Sequence, residues 1–100
     1  MSNRSISHLW ASRKVKHGKS KNVEFHGDTI YSYGWWPMAK WHTAADGTEY
    51  VIMPDKPYSS STAKQMNLVR EAIPMSVRVY YSSMYNTAYY SSRRTPRLLS

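Results

Sequence analysis

Residues 25–41, FHGDTIYSYGWWPMAKW, constrain the fold of this chain more than any other stretch. They hold three of the four tryptophans and the only phenylalanine. β-Branched and aromatic side chains favour a pleated, half-buried surface, and Gly27-Asp28 between two such runs is typical of a hairpin turn. Gly34 indicates a bulge or a turn, and Pro37 indicates an edge strand or an irregular one. The stretch therefore predicts antiparallel strands joined by short turns.

Two helices are predicted outside this stretch. The first, residues 5–14, has Ser5 as an acceptable N-cap. The second, residues 62–73, has Thr62 and Gln65 at the spacing of a capping box. Apolar residues recur with helical spacing in both segments: Ile6, Leu9 and Trp10, then Met66, Val69 and Ile73.

Further strands complete the predicted fold. A turn at 45–47 precedes a returning strand at 49–53, and alternating residues predict a last strand at 76–81. We expect an α+β fold in which a small antiparallel sheet of three to five strands is packed by one or two helices. By length, residues 1–81 form a single domain, and 82–100 form a C-terminal segment rich in Ser, Tyr and Arg.

The charge is unevenly distributed along the chain. The net charge is +8 at pH 7, yet all six acids lie between Glu24 and Glu71. Both ends are therefore cationic, and five of the bases fall in residues 13–21, which we predict to be a mobile loop. Cationic ends suit contact with a polyanion, either nucleic acid or an acidic protein surface. Solvated basic termini without a partner would produce the same pattern.

Aromatic residues interleaved with bases are typical of surfaces that bind single-stranded nucleic acid, because rings stack on bases while cations neutralise phosphates. This pattern predicts a nucleic-acid or partner-binding set drawn from the loop, the tryptophan-rich strand and the C-terminal segment. Its members are Arg13, Lys14, Lys16, Lys19, Lys21, Trp35, Trp36, Lys40, Arg93 and Arg94. Tyr33 and Trp41 are instead predicted to lie in the core.

The loop before the second helix is a possible anion site. The free N–H groups and the dipole at the start of a helix attract anions. A phosphate there would meet five polar residues: Lys56, Ser60, Ser61, Thr62 and Lys64. A helix capped by its own side chains explains the same residues, so both interpretations stay open.

The residues give little support for catalysis. The chain has no cysteine, which excludes disulfides, thiol catalysis and cysteine-ligated zinc. His26 and Asp28, together with His8 or His42, fit no recognised spacing for a metal site or an acid–base pair. We therefore expect no enzyme, no catalytic residue, no metal and no cofactor.

The hydropathy pattern argues against a membrane role. No apolar run approaches the roughly 20 residues that span a bilayer. The segment MSNRSISHLWASRK has no apolar core of the kind found in secretory signals. We expect no membrane contact and an intracellular, reducing setting.

Five motifs occur in order along residues 6–80: HLWA (8–11), FxGDTIYSYG (25–34), PMA (37–39), YSxSTxKQ (58–65) and VREAIP (69–74). Together they resemble a small domain of unknown function that is spread through bacteriophage and plasmid genomes. Trp35-Trp36 depart from the family pattern, which often has a His-Phe pair before the proline, so any role of that histidine is in doubt here. The resemblance implies a mobile-element origin and action in the cytoplasm of a bacterial host cell, and it implies no reaction.

These observations lead to three functional hypotheses. The first is a phage-type accessory protein that binds nucleic acid, or a nucleic-acid-handling host complex, through the basic loop and exposed aromatic residues. The second is an anti-defence or host-takeover inhibitor that binds a host protein. The third is a minor virion component. A homodimer formed through the tyrosine-rich C-terminal segment is compatible with each of them.

Overall fold

Two helices and six strands make up residues 2–82, the part of the chain that the computed structural model describes. They are α1 (Asn3–Ser12), β1 (His17–Lys19), β2 (Val23–His26), β3 (Thr29–Ser32), β4 (Trp36–Thr43), β5 (Glu49–Pro54), α2 (Ser60–Ala72) and β6 (Arg78–Ser82). Apart from Ser82, which ends β6, the predicted C-terminal segment lies outside the described residues. The predicted contacts of Arg93 and Arg94 therefore lie outside them as well.

The α+β prediction is confirmed, and the sheet is larger than the three to five strands expected. Its order follows the chain from β1 to β6. The first five strands pair antiparallel with their neighbours, whereas β6 pairs parallel with β5. The prediction of an antiparallel sheet is wrong for this pair because α2 lies between the two strands as a crossover, which returns the chain in the same direction.

Strand β1 lies inside residues 13–21, where the sequence predicts only a mobile loop. Gly18 of this strand pairs with Phe25 of β2. A Cβ atom on Gly18 would lie 2.7 Å from the Phe25 ring, far inside van der Waals contact. The glycine therefore lets an edge strand lie against a buried ring, and the loop prediction is wrong for β1.

Both helices begin earlier than predicted. The Ser2 hydroxyl accepts the Ser5 N–H at 3.1 Å at the start of α1, and the Ser59 hydroxyl accepts the Thr62 N–H at 3.2 Å at the start of α2. Ser5 and Thr62 are therefore third residues of their helices rather than caps. Each predicted N-cap is three residues too late, because another serine lies three residues earlier and caps the helix instead.

The predicted turns at Gly27-Asp28 and at 45–47 are confirmed. Gly27 has a φ of 60° and Gly47 a φ of 90°, both in the left-handed region that favours glycine. In the second turn the Asp46 carboxylate accepts the Thr48 N–H at 2.9 Å. This hydrogen bond holds the pKa of Asp46 below its ordinary value. Residues within each turn therefore determine its conformation.

The core lies between the two helices and one face of the sheet, which we call the helix face. It includes Ile6, Trp10, Val23, Phe25, Ile30, Trp41, Val51, Met53, Met66 and Val69. The Trp10 indole also donates a hydrogen bond to the Asp28 carbonyl oxygen at 2.9 Å. This bond fixes α1 to the turn between β2 and β3. The core position predicted for Trp41 is confirmed, since only 4% of it is exposed.

A bulge in β4 decides which side chains reach the helix face. Ile30 pairs with Ala39 whereas Tyr31 pairs with Pro37, so Met38 is an extra residue in β4. Regular alternation would place Trp36 on the same face as Lys40. The bulge moves it to the opposite face, because one inserted residue inverts the alternation beyond it.

Candidate functional site

Trp36 is not available to a ligand. Only 2% of it is exposed, and its ring lies 5.9 Å from that of Tyr58. The bulge at Met38 is the cause, since it turns the side chain into the core. The prediction that Trp36 belongs to a binding surface is therefore wrong.

Trp35, its neighbour in sequence, is 47% exposed. It follows a tight turn in which Tyr33 and Gly34 have φ values of 55° and 77°. The Trp35 N–H closes this turn on the Ser32 carbonyl oxygen at 3.2 Å. Two successive left-handed residues are the signature of a type I′ hairpin turn. Tyr33 is 53% exposed there, so the prediction that it lies in the core is wrong.

Three exposed rings belong to this turn and to the loop before α2, and we call Tyr33, Trp35 and Tyr58 the aromatic corner. Trp35 and Tyr58 form an edge-to-face pair with ring centroids 5.0 Å apart. The Tyr33 hydroxyl donates to the Ser61 hydroxyl at 3.3 Å. The corner thus joins the β3–β4 turn to the start of α2. It also brings Trp35 close to the loop that the sequence singles out as an anion site.

The anion-site residues do not all remain available. Thr62 is only 1% exposed, and its hydroxyl lies 3.0 Å from that of Ser59. Ser59 also contacts the Ser61 hydroxyl at 3.1 Å. The alternative interpretation, a helix capped by its own side chains, is therefore confirmed. The prediction that Thr62 binds an anion is wrong. Lys56, Ser60, Ser61 and Lys64 are exposed.

Arg13 is occupied within the fold. Its guanidinium pairs with Asp28 at 3.0 Å and with Glu49 at 2.9 Å, and it lies 4.9 Å from the centre of the Trp41 ring. These contacts join the end of α1 to the β2–β3 turn and to the first residue of β5. Because its charge is paired internally, Arg13 is a structural residue and we exclude it from the binding surface. The other predicted cations of this region are exposed: Lys14, Lys16, Lys19 and Lys21.

The sheet face opposite the helices gathers cations and rings from distant parts of the sequence. Residues paired across strands point to the same side of a sheet. One such row crosses all six strands through His17, His26, Thr29, Lys40, Ile52 and Tyr80. Ile52 in this row is buried, whereas Lys40 is exposed. Residues two positions away extend the same face with Lys19, Tyr31, His42, Tyr50 and Arg78.

We call the exposed side chains of this face the basic face: His17, Lys19, His26, Lys40 and Arg78. Four half-buried rings lie among them: Tyr31, His42, Tyr50 and Tyr80. His42 stacks on Tyr50 with centroids 5.5 Å apart and an interplanar angle of 16°. Tyr50 in turn meets Tyr80 edge-on at 5.4 Å. Rings of β4, β5 and β6 thus form a continuous row beside the cations.

The electrostatics of this face favour an anion. Lys19, Lys40 and Arg78 supply three basic side chains, and the carboxylate of Glu24 forms a hydrogen bond with His26 at 2.6 Å. Burial, aided by the nearby Lys40, lowers the pKa of His42 below its ordinary value, and the Asp28 carboxylate opposes this only partly. His42 is therefore a neutral ring at pH 7 and serves the face as an aromatic surface.

The sequence does not identify several residues of this face as part of a binding surface. Lys19 and Lys40 are predicted contacts, but His42, Tyr50, Arg78 and Tyr80 are missed. The available signal is alternation, because Tyr50 and Arg78 alternate with the buried or packed Val51 and Val79. Alternation within one strand does not show which side chains of another strand share its face, because that depends on which strands are neighbours. The parallel pairing of β6 with β5 joins distant segments, so the sequence does not reveal it.

Comparisons with protein families, curated proteins and solved structures give no match to this chain. The resemblance to phage and plasmid domains therefore stays a prediction. Within residues 2–82, no three His, Asp or Glu side chains come together in a way that could hold a metal ion. Neither helix in this range combines the length and apolar character needed to cross a bilayer.

Proposed function

We propose that this protein is a phage-type accessory protein that binds nucleic acid through the basic face of its sheet. The observation that carries the proposal is the position of Lys19, Lys40 and Arg78 on three different strands of one face, with aromatic rings between them. Cations that neutralise phosphates supply most of the affinity of such proteins. Aromatic rings beside them add contacts to bases or sugars.

The size of this face suits a short segment of nucleic acid. Lys19 and Arg78 lie on the two edge strands of a six-stranded sheet. Five strand spacings of roughly 4.8 Å separate these edges by about 24 Å. That width suits a binding site near the lower end of the range for single strands, about four nucleotides.

The biological setting of the proposal comes from the sequence motifs. Their resemblance to phage and plasmid domains suggests a role in the cytoplasm of a bacterial host cell, on nucleic acid itself or on a host complex that carries it. We propose no reaction for this protein. Its role is binding, with no metal or cofactor involved.

The proposal is tested by titrating labelled DNA and RNA oligonucleotides with the protein, at rising salt, and recording fluorescence anisotropy. We expect Lys40→Ala to weaken binding and to reduce the slope of log affinity against log salt by about 1, because one phosphate contact is lost. Lys14→Ala is the matched control, since it removes the same charge just after α1, where Lys14 lies beside Ser5 and His8 of that helix and not on the basic face.

Two results would contradict the proposal. One is the absence of measurable binding to any oligonucleotide at low salt. The other is an equal loss of affinity in Lys40→Ala and Lys14→Ala, which would mean that net charge rather than this face determines binding.

A further inference from the structure

We infer that the nucleic acid is single-stranded and that the aromatic corner holds one of its unpaired bases. This inference rests on the nucleic-acid binding proposed above and adds a second contact site to it. The corner is formed by the β3–β4 turn and the residues before α2, whereas the basic face is formed by the middle of the sheet. The two surfaces therefore involve different residues.

The first argument is exposure. The corner holds three large rings that water reaches, with Tyr33 53%, Trp35 47% and Tyr58 63% exposed. The other tryptophans within residues 2–82, Trp10 and Trp41 among them, are at most 4% exposed. Clustered exposed aromatic surface is typical of a binding site. The Trp35–Tyr58 contact also fixes both rings before a ligand arrives, which lowers the entropy cost of binding.

The second argument is backbone strain. Tyr33 has a φ of 55°, in a region that side chains other than Gly, Asn and Asp seldom adopt. Asn or Gly in its place would form the same type I′ turn with less strain. Burial does not offset this strain, because half of the tyrosine is exposed. Strain of this kind is typically retained where a side chain serves a ligand.

The third argument is charge, which favours a nucleic acid over an apolar peptide. The loop and first turns that carry Tyr58 hold two exposed bases, Lys56 and Lys64, and one acid, Asp55. Glu24, whose carboxylate lies beside Gly34, is hydrogen-bonded to His26. The net charge of +8 also attracts a polyanion to the protein over a longer range.

The geometry of the ligand follows from the geometry of the corner. Every base has a flat π-face that can stack on Trp or Tyr without regard to sequence. In a duplex these faces are covered by neighbouring base pairs, so exposed rings at one corner of the protein cannot reach them. The corner therefore contributes to the binding of a single strand and not to the binding of a duplex.

The test compares a single strand with a duplex of the same sequence by fluorescence anisotropy. For Trp35→Ala we expect a loss of about 5- to 150-fold in single-strand affinity, unchanged duplex affinity and an unchanged salt slope, because no charge is removed. Trp35→Phe should keep most of the affinity, since it keeps a ring. Met75→Ala is the control, because Met75 is a fully exposed apolar residue outside the corner.

A second readout does not depend on affinity. A base that stacks on Trp35 quenches its fluorescence, and the buried tryptophans contribute little to this change because the single strand cannot reach them. We expect quenching on saturation with a single strand in the wild type, and its loss in Trp35→Phe. Thermal unfolding of each variant confirms that the fold is intact.

The outcomes separate this inference from the proposal on which it rests. If Trp35→Ala binds the single strand as the wild type does, the inference is overturned while the proposed function stands. It is also overturned if Trp35→Ala weakens single-strand and duplex binding equally. If no nucleic acid binds at low salt, the proposed function and the inference fail together, and a host protein becomes the partner to seek at the corner.

Discussion

The two faces of the sheet are built from the same strands and carry opposite kinds of side chain. On β4, Trp41 is buried under the helices whereas Lys40 is exposed on the other side. On β5, Val51 is completely buried and Tyr50 only partly. The difference separates two properties of the molecule. Substitutions on the helix face should change stability, and substitutions on the basic face should change binding.

The largest expected effect belongs to Trp36→Ala on the helix face. Removing a fully buried aromatic side chain leaves a cavity, so we expect the free energy of unfolding to fall by about 3–5 kcal/mol. Chemical denaturation measures this loss. Trp35→Ala is the matched control and should cost no more than about 1.5 kcal/mol, because nearly half of Trp35 is exposed and its ring contact is the edge-to-face pair with Tyr58. Similar losses in both variants would contradict the assignment of Trp36 to the core and Trp35 to the surface.

A smaller effect is expected at the polar contact between the helix face and α2. The Ser32 hydroxyl donates to the Gln65 side-chain oxygen, and both residues are buried. Gln65→Ala leaves this hydroxyl without its partner, which should cost about 1–3 kcal/mol. The double variant with Ser32→Ala should recover part of the loss in a denaturation cycle. Strict additivity of the two substitutions would show that the hydrogen bond contributes nothing.

The smallest effect concerns His42 on the opposite face, and it depends on pH. Its pKa is lowered in the folded protein, so the unfolded chain binds a proton more readily. The stability linked to this group is therefore present above about pH 6.5 and is lost as the pH falls through the folded pKa. Unfolding measured at pH 7.5 and 5.5 should show the loss in the wild type. It should be smaller in His42→Phe, which keeps the stack on Tyr50.

The features that were predictable from the sequence are local ones. Helical spacing of Ile6 and Trp10 identified the buried side of α1, and Gly27 and Gly47 identified two turns. These signals act over a few residues, so a single sequence contains them. The N-cap residues are mispredicted because several serines lie near the start of each helix, and their spacing does not show which of them is the cap.

The features that were missed depend on contacts between distant segments. The burial of Trp36 depends on the bulge at Met38. This bulge is defined by the pairing of β4 with Ile30 and Tyr31 of the neighbouring strand. The same holds for the binding surface. Lys40 is recognisable as an exposed base, but Arg78 joins it on one face only after α2 has carried the chain across to β6.

The strand order has a consequence for how this chain folds. Because each strand pairs with the one before it, almost every pairing step closes a short loop, and such steps are fast. The hairpins from β1 to β5 need no residue beyond Pro54, so the sheet can grow while the rest of the chain is still being synthesised. We expect the return of β6 across α2 to be the slowest pairing step, because it closes the longest loop, so that Arg78 completes the basic face last.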